Sequence, residues 1–98
     1  MARKNGRAAP WFVYLVRCAD DTLYTGIALD VAQRIAAHDA GRGARYTRGR
    51  GPLTLFASRR CKTKSEALRL EILVKRLPRA QKLALTSRRL ASFARRTL

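Results

Sequence analysis

The sequence predicts a small α/β (α+β) domain, and three observations carry that reading. An aromatic and β-branched run returns through an acidic turn; two capping-box patterns each open a stretch of helical periodicity; and a third apolar run follows a loop rich in glycine. With 98 residues the chain has room for one hydrophobic core. We assign residues 11–98 to a single domain with a basic C-terminal helical extension. Residues 1–10, basic and without periodicity, read as a disordered tail.

The first strand is expected at Trp11-Phe12-Val13-Tyr14-Leu15-Val16, and Leu23-Tyr24-Thr25-Gly26-Ile27 resumes strand character after the turn-forming pair Asp20-Asp21. Register decides what this hairpin can do. A two-residue turn would pair Arg17 with Tyr24 and put Tyr14 and Tyr24 on opposite faces. A three-residue loop, Asp20-Asp21-Thr22, would pair Cys18 with Tyr24 and bring both tyrosines to one face, because side chains alternate with period two. A site shared by the two tyrosines therefore needs an odd-numbered loop or a bulge.

Asp30 fits an N-cap, with Gln33 at the capping-box position, and opens a helix over Val31–Asp39 that Ala40-Gly41 ends. Val31, Ile35 and His38 share a flank, and Arg34 stands i,i+4 from His38. The segment 41–51 holds four glycines and the arginines Arg42, Arg45, Arg48 and Arg50, a composition suited to a phosphate clamp rather than a helix. A third strand is expected at Leu53–Ser58. Thr63 and Glu66 form a second capping box, opening a helix through Leu77 that Pro78 stops. Another helix follows over Arg79–Leu85. Thr86-Ser87 either interrupts it or starts a last basic helix reaching Arg96.

Twenty-two Lys and Arg against six acidic residues give a formal charge of +16. This far exceeds the magnitude of about 2–8 comfortable for a small domain and favours phosphate polyanions or an anionic surface as partner. Seventeen of the cations are Arg, whose planar fork matches phosphate oxygens, which tilts the expectation to nucleic acid. Cys18 and Cys61 form no CxxC pair and no metal-ligand quartet, and no long apolar run is present. We expect no membrane partner and a reduced, cytoplasmic setting.

Five of the six acids have a local task or position: Asp20 and Asp21 in the turn, Asp30 and Glu66 at caps, Asp39 at the frayed end of the first helix. Glu71 is left over, on the flank of a helix whose Ala67, Leu70, Val74 and Leu77 face the core. It either makes a surface pair with Lys75 at i,i+4 or meets a cation in a half-buried setting. Arg34 and His38 are each open between structural and chemical roles, and Tyr14 and Tyr24, taken singly, read as sheet residues packed against a helix.

Taken together, Val13-Tyr14-Leu15, then Tyr24-Thr25-Gly26, Arg34, His38 and a helical Glu71 resemble the GIY-YIG nuclease superfamily, in particular its small stand-alone, single-domain (YhbQ-like) bacterial members. The resemblance covers about Trp11 to Lys82. It implies a small three-stranded antiparallel sheet flanked by helices, and hydrolysis of DNA phosphodiesters, DNA rather than RNA, with one divalent ion, Mg²⁺ or Mn²⁺. Tyr24 or Tyr14 would act as general base or orient the attacking water, Arg34 would stabilise charge on the phosphoryl group, His38 would support proton transfer or bind phosphate, and Glu71 would be the metal ligand. Proximity to Arg34 and the ion would favour the phenolate. Arg42, Arg45, Arg48, Arg50, Lys75 and Lys82 are the candidate nucleic-acid contacts. The chain departs from relatives at Ile27, where the excision-repair branch carries lysine, and in having no asparagine after Glu71. A non-catalytic nucleic-acid-binding module that keeps the fold is the alternative.

Overall fold

A computed structural model of the chain describes residues 9–42 and 49–98. Arg45 and Arg48, and all but the end of the expected basic tail, lie outside those residues. The elements run β1 (Trp11–Arg17), β2 (Leu23–Ala28), α1 (Val31–Asp39), β3 (Thr54–Cys61), α2 (Lys64–Lys75), α3 (Arg79–Leu83) and α4 (Ser87–Thr97). The strands form one antiparallel sheet in the order β2-β1-β3.

Burial explains why β1 is central. Val13, Tyr14, Leu15 and Val16 are all buried, so β1 has no polar alternation and must be covered on both faces. Val13 and Leu15 join Ala57, Leu70, Val74, Leu90 and Ala94 in one cluster, with α2 and α4 as its lid. Tyr14 and Val16 join Ala28 and Leu53 on the other face, with Tyr24 and, from α1, Val31 and Ile35 packed against them. Cys61 belongs to the first cluster and Cys18 to the second, and both are free thiols.

The hairpin has the parity that a shared tyrosine face requires. The ladder pairs Tyr14 with Gly26, Val16 with Tyr24 and Arg17 with Leu23, and the Cys18 amide donates to the Thr22 carbonyl at 2.8 Å. The loop is three residues long, as expected, but comprises Ala19-Asp20-Asp21 rather than Asp20-Asp21-Thr22. Tyr24 thus faces Val16 and not Cys18. The displacement has a local cause: Asp21 takes the left-handed conformation (φ 70°), while Asp20 Oδ1 accepts from the Thr22 amide and hydroxyl.

Both side-chain N-caps form. Asp30 accepts from the Gln33 amide, and Thr63 Oγ1 from the Glu66 amide at 3.1 Å; Glu66 in turn accepts from the Lys62 amide at 2.9 Å, one residue before the cap. Other boundaries move. β3 runs on through Arg59-Arg60-Cys61, because an edge strand tolerates charged side chains that a central one would not. α2 ends at Lys75 rather than Leu77, since the residue before Pro78 is pushed out of the helical region. α3 stops at Leu83, and Thr86 caps a separate α4 through its side chain.

Candidate active site

Tyr14 and Tyr24 come from adjacent strands and share the face that α1 covers. Their ring centroids lie 6.3 Å apart. His38, in the last turn of α1, completes a triangle of rings, with centroids 6.4 Å from Tyr14 and 5.4 Å from Tyr24, edge-on to the latter. Tyr14 Oη and His38 Nε2 are hydrogen-bonded at 3.0 Å in the interior. Tyr14 and His38 are both buried, whereas Tyr24 is only half-buried.

The glycine of the second motif makes this triangle possible. A Cβ at Gly26 would fall 2.6 Å from Tyr14 Oη, 2.8 Å from its Cζ and 3.0 Å from Tyr24 Cε2. Gly26 serves space and not backbone conformation, since its φ is outside the left-handed region.

Three charges act on the rings. Arg34, exposed one turn before His38 on α1, acts on both tyrosines, and so does Glu71 from α2. Burial is the largest influence on Tyr14 and lifts its hydroxyl far above the ordinary value, with Tyr24 and Glu71 adding to the rise and Arg34 opposing it. Burial also raises Tyr24, Lys75 and Arg34 pulling it down and Glu71 pushing it up. The expectation that Arg34 would favour a phenolate is thus correct in the sign of its contribution but not in the outcome, because desolvation of the rings outweighs one exposed guanidinium. His38 is shifted downward, first by burial and then by Arg34, which keeps it neutral at pH 7.

Glu71 keeps only 16% of its side-chain surface exposed and contacts Lys75 Nζ through Oε2 at 3.3 Å. Lys75 is its ion-pair partner among the described residues, and a carboxylate is a suitable oxygen donor for a hard divalent cation. No group of three or more His, Cys, Asp and Glu is gathered among the described residues, and Glu71 would be a single protein ligand.

The structure therefore brings Tyr14, Tyr24, Arg34, His38 and Glu71 to one place. Lys75 joins them, as a charge beside Tyr24. Arg50 instead pairs with Asp20 at 2.6 Å beside the hairpin tip, Arg42 follows α1, and Lys82 sits on α3. Asp39 is not a frayed end: its Oδ1 accepts from the Leu53 amide at 2.9 Å and ties α1 to the entry of β3. Sequence reasoning missed the spacing role of Gly26 and the tie made by Asp39. A glycine inside a strand pattern is a signal for close approach that could have exposed the first.

Comparison with known proteins bears directly on this cluster. The GIY-YIG catalytic domain matches residues 10–84, from the start of β1 through α3. The chain belongs to the GIY-YIG family. UPF0213 proteins of Cupriavidus necator and Cronobacter sakazakii are each 51% identical to it, over 76% and 83% of this chain and 80% and 85% of their own. A UPF0213 protein of Halobacterium salinarum is 53% identical over 74% of this chain and 95% of its own. The solution structure of a Bacillus halodurans UPF0213 protein superposes with a TM-score of 0.52 at 42% identity, covering 90% of this chain and 94% of that one. The chain is accordingly one of the small, single-domain YhbQ-like members, with the three-stranded antiparallel sheet and flanking helices of that group. Membership in the GIY-YIG family points to endonuclease-like action on nucleic acid. No helix among the described residues is long and apolar enough to cross a membrane.

Proposed function

We propose that the chain is a divalent-metal-dependent endonuclease that hydrolyses DNA phosphodiester bonds with low sequence specificity. The observation that supports this most is the convergence of two phenols, a neutral imidazole, a guanidinium and a half-buried carboxylate. A phosphodiester is anionic, so its hydrolysis needs positive charge at the non-bridging oxygens and an oriented nucleophile.

Arg34 is exposed and binds a non-bridging oxygen, opposing the charge that develops there. Tyr24, the more exposed phenol, orients the attacking water at Oη; Lys75 and Arg34 favour its phenolate, the form able to take the water's proton, against the larger effect of burial. Tyr14 is too buried to meet substrate and holds His38 through their hydrogen bond. Glu71 would hold Mg²⁺ or Mn²⁺, which would supply further positive charge at the scissile phosphate. One carboxylate makes a weak cation site, with water and phosphate filling the remaining positions. The two free, buried thiols accord with a reducing, cytoplasmic setting, and residues 11–98 act as one unit in this reading.

The Glu71–Lys75 contact is the observation that favours the other reading, a nucleic-acid-binding module without turnover. Nicking of supercoiled DNA decides between them. Tyr24→Phe, Arg34→Ala and Glu71→Ala should each lower divalent-dependent nicking by about 100-fold or more while binding persists. Equal cleavage by all three variants and the parent would refute the assignment.

A further inference from the structure

A second basic feature lies away from the tyrosine cluster. Arg59 and Arg60 on β3, Lys62 just after it and Arg95 on α4 line one cleft of about 750 Å³. Arg60, Lys62 and Arg95 are exposed, and none of the four cations pairs with a carboxylate among the described residues. Among the described residues Glu66 is the one acidic side chain lining the cleft, and its carboxylate is engaged by the Lys62 amide beside the cap of α2. Register separates this cleft from the site already described. Arg60 pairs with Phe12 on the β3 side of β1, whereas Tyr24 pairs with Val16 on the β2 side.

α4 is the source of Arg95 and lies beyond the stretch 10–84 that matches the catalytic domain. It carries Arg88, Arg89, Arg95 and Arg96 and no acidic residue. A basic amphipathic helix can serve a lipid surface or a polyanion, and here the packing decides. Leu90 and Ala94 are buried against the sheet at 0% and 2% exposure, so the apolar face that a bilayer would have to receive is already occupied. The exposed positions of α4 are Arg88, Arg89, Arg95 and Arg96, with Ser87 and Thr97 at its ends.

We propose that the cleft between β3 and α4 binds the phosphate backbone of the nucleic acid at a point separate from the catalytic cluster, so that α4 extends the footprint of the catalytic domain. The inference rests on the nucleic-acid substrate of the function proposed above, but not on turnover. Unpaired arginines at a concave edge match phosphate oxygens in the way lysine ammonium groups do not, and a mobile counterion atmosphere is released as they do so.

Binding of a fluorescent DNA duplex is measured by anisotropy across a salt series, in chelator so that the duplex stays intact. Neutralising the cleft with Arg60→Gln, Lys62→Gln and Arg95→Gln should reduce the slope of log K against log salt by about 0.9 per lost contact, roughly 2.7 in all. Arg95→Gln alone, at an exposed helical position, should reduce it by about 0.9. A control triple, Arg17→Gln, Arg69→Gln and Arg76→Gln, removes the same charge outside the cleft and should change it less. An unchanged slope in the cleft variants, an equal loss in the control, or tighter binding to phosphatidylserine vesicles than to DNA overturns the proposal. A chain that never nicks DNA but loses slope in the cleft variants refutes the nuclease reading and leaves this one standing. The reverse pattern does the opposite.

Discussion

Gly26→Ala is the sharpest test of the cluster, because a single methyl group is placed where two rings already meet. The added carbon would lie 2.6 Å from Tyr14 Oη, about 1 Å inside ordinary contact. The obstacle cannot swing away as an exposed side chain would: Tyr14 is 1% exposed and its hydroxyl is bonded to His38 at 3.0 Å. Moving the ring by about 1 Å stretches that bond beyond the range of a hydrogen bond. Overpacking costs at least about 1 kcal/mol and the lost bond about 1 more, so stability should fall by about 2 kcal/mol. For a domain of this size that corresponds to a Tm lower by roughly 8–16 °C. Thermal unfolding followed by circular dichroism reads the change, and the nicking assay should show a loss beyond what the unfolded fraction explains. A Tm within a degree of the parent, with nicking intact, would show that the tyrosine has room to yield and that Gly26 is not what sets the ring positions.

Three further outcomes are expected. Asp39→Ala removes the acceptor of the Leu53 amide and should lower stability by about 1–2 kcal/mol in a urea titration; an unchanged midpoint would mean that water replaces the bond without loss. Stability should depend on pH at both ends. The lowered value of His38 gives a contribution present above its ordinary 6.5 and lost as pH falls through the folded value, while the raised value of Tyr14 gives one present below 10.0 and lost as pH rises toward the folded value; Tyr14→Phe should flatten the alkaline limb of the urea midpoint, and an identical limb in both proteins would contradict the burial argument. Glu71→Gln removes a charge that raises both tyrosines, so the ultraviolet titration of tyrosine should move to lower pH; an unmoved titration would place Glu71 away from the rings.

Local chemistry made much of this legible. The α1 boundaries follow from Asp30, Gln33 and the Ala40-Gly41 stop, all within a few residues of one another, and the odd parity of the hairpin loop follows from requiring both tyrosines on one face. What escaped depends on contacts distant in sequence. β3 reaches Cys61 only because it is an edge strand, a property of the sheet order and not of the residues Arg59-Arg60. Asp39 finds its partner 14 positions away, across a loop that gives no periodic signal. The tyrosine pKa values needed burial as well as charge: sequence could suggest that Arg34 stands near, but not that the rings would be wrapped closely enough for desolvation to dominate.

Stability and chemistry meet in the last turn of α1. His38 fixes one side of that turn to the sheet through Tyr14, and the adjacent Asp39 fixes the other to the start of β3. Arg34, one turn earlier on the same helix, owes its position beside the rings to both ties, since a helix held at its end cannot rotate without breaking one of them. Asp39 touches neither tyrosine, yet Asp39→Ala should lower nicking at a temperature where the variant remains folded, by loosening the angle at which α1 presents Arg34. A variant that loses stability but cleaves at the parental rate would show that the Tyr14–His38 bond alone suffices to set the helix.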